Sequence, residues 1–124
     1  EFYESTSDSG MNSLCLPENK SITYNKIMRK QLTLDSFVAR NDCIPGLIKI
    51  DVEGAELNVL RGAKTILRRY HPEIIISVHP RHLNILGYSV DELTKEIHDL
   101  NYQIYNIGGS LAEGELGSRE YYLH

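Results

Sequence analysis

Leu47-Ile48-Lys49-Ile50-Asp51-Val52-Glu53-Gly54-Ala55-Glu56 carries an apolar run directly into acidic groups and a glycine, and then into a helical pattern. Its first six residues are short, almost wholly apolar and preceded by the breakers Asn41-Asp42 and Pro45-Gly46. These features predict a strand over Leu47 to Val52, parallel to its neighbours and covered on both faces. Lys49 is the polar exception. It shares a face with Asp51, because side chains two apart on a strand point the same way, and its stem can pack while the amine reaches solvent or a carboxylate. In open α/β sheets, ligands gather beyond the carboxyl ends of the strands. Asp51 and Glu53 stand at such an end.

Downstream, Val59, Leu60, Ala63, Ile66, Leu67 and Tyr70 form one helical stripe, predicting a single helix from Ala55 to Tyr70. Gly62 within it costs about 1 kcal/mol of helix propensity, which close approach to the sheet would offset. His71-Pro72 stops the helix, and Ile74 to Val78 follows as a second buried parallel strand ending at His79-Pro80. Pro80, Arg81 and His82 read as a loop. Ser89 with Glu92 three residues on makes a capping box for a helix with Leu93, Ile97 and Leu100 on its buried stripe, and Asn101 suits a left-handed terminating position. Tyr102 to Ile107 and Glu120 to Leu123 read as strands. The glycines at 108, 109, 114 and 117 between them precede a strand rather than a helix, which implies a long hairpin connection and not a phosphate-binding loop.

Upstream, Glu1 to Ser5 is a candidate strand, Thr6 to Asn12 a polar turn and Lys26 to Leu32 a further strand. Thr33 can cap a short helix through Phe37 and Val38, with Asp35 as a first-turn charge. Alternating strands and helices define an α/β chain, and 124 residues with 41% hydrophobic content suit one compact unit. A net charge of −4 argues against a nucleic-acid surface, which needs clustered positive charge; Arg61, Lys64, Arg68 and Arg69 read as a solvated helix face. Cys15 and Cys43 lack zinc-ligand or disulfide-framework spacing, and no metal site is expected. With a mean hydropathy of −0.32, no run near the length of a transmembrane helix and no signal-peptide pattern, the expected location is the cytoplasm.

Residues 47–63, reading IKIDVEGAELNVLRGA after Leu47, closely resemble the FkbM family of S-adenosylmethionine-dependent methyltransferases. Thr33 to Phe37, Pro72 to Pro80 and the helix leading to Asn101-Tyr102 follow the same pattern in order, so the likeness covers roughly residues 30 to 107. The resemblance implies the carboxyl-terminal half of a doubly wound, Rossmann-like class I methyltransferase sheet with its last strand antiparallel. The glycine-rich turn and the acidic strand end that such domains use for the cofactor are absent from the chain, which begins at Glu1 and reads as a partial domain spanning residues 1–124. On this likeness the activity is methyl transfer from S-adenosylmethionine to a small-molecule hydroxyl, on a sugar or secondary metabolite. Asp51 is then the site carboxylate facing donor and acceptor, Glu53 the second acid, and Gly54 a point of close backbone approach on the cofactor side. His79 is the candidate acid or base on the acceptor side. Ser77 departs from the family, whose members often carry an acid there.

The structural alternatives are that Asp51 and Glu53 cap the next helix, as Glu56 is expected to do. A non-catalytic α/β fragment or binding module, unable to hold cofactor without its other half, is the rival function. Nucleotide hydrolysis would need a P-loop, GxxxxGK[ST], and the chain has none.

Overall fold

A computed structural model describes residues 1–7, 12–14 and 22–124. The expectations for Cys15 and for most of the Thr6 to Asn12 turn fall outside them. Where composition suggests one compact unit, the chain divides into two, residues 1–31 and 32–124. In the first, β1 (Phe2–Ser5) pairs antiparallel with β2 (Tyr24–Ile27), from Phe2 opposite Ile27 to Ser5 opposite Tyr24. The upstream strand thus lies earlier than Lys26 to Leu32, because the register with β1 sets its bounds and residues 28–32 are left exposed.

The second unit contains α1 (Leu34–Asn41), β3 (Leu47–Ile50), α2 (Glu56–Arg61), α3 (Lys64–Tyr70), β4 (Glu73–Ser77), α4 (Pro80–Ile85), α5 (Val90–Asp99), β5 (Ile104–Asn106) and β6 (Glu120–Leu123). Its four-stranded sheet has the order β3-β4-β6-β5. β3 and β4 are parallel, and β6 runs antiparallel to both β4 and β5, the direction expected of the last strand. The carboxyl ends of β3, β4 and β5 therefore meet the start of β6 along one edge, with Ser77 opposite Glu120 and Asn106 opposite Tyr121.

β3 is not covered on both faces. Among the described strands it pairs only with β4, so it lies at the edge of the sheet. Ile50 is buried and Ile48 packs against the core, whereas Leu47 and Lys49 are exposed. β4 and β6, each paired on both sides, are the interior strands; Ile74 and Ile76 of β4 are fully buried. Leu57 and Leu60 of α2 and Leu93 and Ile97 of α5 are also fully buried. Burial of each such side chain stabilises by about 1.5–3 kcal/mol.

The helical stripe from Ala55 to Tyr70 is real, but it is cut in two at Gly62-Ala63. The cause lies outside the stripe. Asp35 of α1 accepts from the amides of Thr65 and Ile66 at 3.0 Å each, capping a new start at α3, while the Asp35 amide donates to the Gly62 carbonyl. Asp35 is thus a cap for a second helix rather than only a first-turn charge. A Cβ on Gly62 would stand 3.3 Å from Thr33, so the close approach is to the cap of α1 and not to the sheet.

Other boundaries follow local chemistry. Thr33 caps α1 through Ser36, the capping box of Ser89 and Glu92 is complete, and Asn101 takes a φ of 65°. Residues 80–85 are helical, with Pro80 in the first turn, where its fixed φ is pre-organised and its missing amide costs nothing. Within the basic cluster, Arg61 and Lys64 reach Glu96 of α5 at 3.6 and 2.7 Å and Arg61 also lies over the Tyr88 ring, while Arg68 and Arg69 are exposed as expected. Among the described residues no helix is long and apolar enough to cross a membrane.

Tyr102 supplies a pH-dependent test of this packing. Its hydroxyl donates to the Pro72 carbonyl at 2.8 Å, its ring stacks on His71, and burial pushes its phenol up to about 12. A raised pKa favours the folded state while the phenol is protonated. This stability is complete below about pH 10 and is lost as pH rises toward 12, by up to about 3 kcal/mol. Urea unfolding at pH 8 and at pH 11 should show the loss in the parent protein and little of it in Tyr102→Phe, which instead loses about 1 kcal/mol at both values. Equal pH slopes in the two proteins would refute this account of Tyr102.

Candidate functional site

Between β3 and α2 the chain turns sharply. Glu53 and Gly54 both have positive φ, 50° and 99°, and the Ala55 amide donates to the Val52 carbonyl at 3.2 Å. Positive φ at both central positions is the type I′ pattern. A Cβ on Gly54 would lie 2.6 Å from the backbone carbon of His82, so the turn is seated on α4. The close approach that Gly54 permits is therefore to the protein's own backbone, and this contact requires glycine whether or not cofactor comes near.

The turn and α4 bring five side chains together. His79, at the carboxyl end of β4, donates from Nδ1 to Glu56 Oε1 at 2.7 Å; an ionised carboxylate can only accept, which places a proton on Nδ1. The same Oε1 accepts from the Gly54 amide at 3.0 Å. His79 Nε2 then faces Asp51 Oδ1 at 3.7 Å and Glu53 Oε1 at 3.6 Å. The second oxygen of Glu53 is 2.8 Å from His82 Nδ1, without hydrogen-bond alignment, and the two imidazoles stack with centroids 5.9 Å apart.

The structure thus unites Asp51, Glu53 and His79. Ala55 stands at the N-cap of α2 with no side-chain hydrogen bond, and the described contacts of Asp51 and Glu53 are to Lys49, His79 and His82 instead of to that helix start. Glu56 differs most from its expected part. It has no exposed surface, and its carboxylate holds His79 from below rather than serving only the helix end. Nothing in the local pattern separates Glu56 from an ordinary first-turn acid; only the fold brings β4 to it. His82 had a legible signal, since His79 and His82 are three apart and Pro80 between them is a helix-starting residue.

Lys49 binds the three strands at this edge. Its Nζ lies 2.5 Å from Glu120 Oε1, 2.6 Å from Ser77 Oγ and 3.7 Å from Asp51 Oδ2. The amine therefore reaches carboxylates, as its position predicts. Its hydrogen bond holds the Glu120 carboxyl below the usual carboxylate range. Glu120 is the cross-strand partner of Ser77, so β6 brings an acid to the place where β4 has only a hydroxyl. Along the same edge a groove of about 370 Å³ opens beside the β5–β6 connection, lined in part by Asn106, Ser110, Glu113, Arg119 and Tyr121.

A mixed α/β sheet with carboxylates and an imidazole gathered at the carboxyl ends of adjacent parallel strands defines a class of ligand-binding or catalytic α/β domain. The FkbM methyltransferase domain matches residues 2–104, and the chain belongs to that family. No curated protein and no solved structure matches the chain.

Proposed function

We propose that this protein transfers a methyl group from S-adenosylmethionine to a hydroxyl of a sugar or secondary metabolite, on a sheet of the doubly wound methyltransferase type. The single observation that carries this reading, beyond family membership, is the convergence of Asp51, Glu53 and the Glu56-oriented His79 at one strand edge. The chemistry of these groups suits the donor. S-adenosylmethionine supplies an electrophilic methyl on a cationic sulfur, and partly exposed carboxylates are natural neighbours for such a charge.

Asp51 is the residue that would face both the sulfonium and the acceptor, taking or orienting the hydroxyl proton. Glu53 is second, held beside His82. His79 presents Nε2 on the acceptor side, because Nδ1 is committed to Glu56. The polar groove next to the β5–β6 connection is suited to a hydroxylated acceptor. Calorimetric titration of the protein with S-adenosylmethionine tests the reading: saturable micromolar binding is expected. Absence of heat would favour a non-catalytic α/β module.

A further inference from the structure

The spacing around His79 Nε2 is longer than a hydrogen bond allows. With Nδ1–H donated to Glu56, Nε2 faces two carboxylate oxygens, at 3.7 Å for Asp51 and 3.6 Å for Glu53. Hydrogen bonds of this type need about 2.7–3.2 Å. Two donor atoms each about 2.1 Å from one ion lie about 3.0 Å apart at a right angle and about 4.2 Å apart when opposite. The two nitrogen–oxygen separations fall inside that interval, and the three ligand atoms all lie within 4.8 Å of one another.

A separate observation concerns the group behind the imidazole. Glu56 is fully buried, and its Oε2 has no hydrogen-bond partner among the described residues. A buried carboxylate on the far nitrogen of a histidine is the arrangement that sets the tautomer of metal-binding imidazoles and raises their basicity. It leaves Nε2 directed toward the two acids, where a positive charge, a proton or a metal ion, makes the contact favourable.

We propose that Asp51, Glu53 and His79 bind one divalent first-row transition cation, with Glu56 as the positioning residue for His79. One imidazole nitrogen and two carboxylate oxygens suit manganese, iron, cobalt or zinc, with the remaining positions open to water or an alcohol oxygen. The three carboxylates of Asp51, Glu53 and Glu56 outweigh one dication, so the neighbourhood would stay attractive to a sulfonium. Polarisation of the accepting hydroxyl by the ion rests on the methyl-transfer reading; occupation of the site does not.

The test is a Mn²⁺ titration of the protein followed by electron paramagnetic resonance of the free ion, with neither methyl donor nor acceptor present. One equivalent should bind with micromolar affinity. His79→Gln and Asp51→Asn should each weaken binding at least about tenfold, and Glu56→Gln by about 10–100-fold. Asp91→Asn, an exposed acid on α5, should change nothing. Circular dichroism of each variant separates lost binding from lost folding. Asp51 is half exposed, so Asp51→Asn remains informative even if the His79 and Glu56 variants unfold. Absence of one-site binding, or binding indifferent to both His79 and Asp51, would overturn the proposal. Manganese binding without S-adenosylmethionine binding would overturn the methyl-transfer reading alone, and the converse would overturn only the cation site.

Discussion

Gly54→Ala melts at least about 8 °C below the parent protein. Two costs combine at this position. A φ of 99° is strained for any residue with a Cβ, and the added methyl would stand 2.6 Å from both the backbone carbon and the Cβ of His82. Strain of this kind costs about 1–3 kcal/mol. Overpacking against groups that cannot swing aside costs a further 1–3 kcal/mol or so. At about 4–8 °C per kcal/mol for a domain of this size, the sum is a large fraction of the whole stability. Gly87→Ala isolates the first cost, since Gly87 has a φ of 82° but nothing within 4 Å of its would-be Cβ. Thermal unfolding of the two variants should therefore separate clash from strain. Similar melting points for both would mean that the turn does not rest on α4.

The second large effect is on turnover. Asp51→Asn should lower the release of S-adenosylhomocysteine by about 10²–10⁴-fold across a panel of hydroxylated acceptors, the range for loss of a positioned acid or base. Stability should change by less than about 0.5 kcal/mol. The side chain is half exposed, and its charged contacts to Lys49 and His79 are both 3.7 Å long, so little folding energy depends on its charge. Urea unfolding alongside the kinetics checks both halves. Undiminished turnover would remove Asp51 from the chemistry, and a large loss of stability would make it a structural residue.

Much of this organisation is legible in the sequence where the determinants are local. The Ser89 and Glu92 box, the left-handed Asn101, the stop at His71-Pro72 and the apolar run of β4 each depend on neighbours within a few residues. Contacts between distant segments account for the rest. The break at Gly62 is imposed by Thr33 and Asp35, roughly thirty residues upstream in sequence terms. The half-covered face of β3 depends on which strands pair beside it, and that information is not in the strand. α4 was visible in principle, because Pro80 is as good a helix start as a loop residue.

The site divides in the same way. Asp51 and Glu53 are marked by their place after an apolar strand, and His79 by the equivalent place after the next one. Glu56 and Glu120 are not marked, since each acts on a side chain from another strand: Glu56 on His79, and Glu120 on Lys49. A carboxylate that looks like a helix-end charge becomes the fully buried support of an imidazole only once β4 lies beside α2.

The methyl donor is proposed to be received where Asp51, Glu53 and His79 converge. Titrating the isotopically labelled protein with S-adenosylhomocysteine, and following the backbone amides by nuclear magnetic resonance, tests it most directly. Saturable shifts concentrated at residues 51–55 and 79–81 are expected. Shifts confined to residues 1–31 or to the β5–β6 connection, or none at saturating ligand, would contradict it.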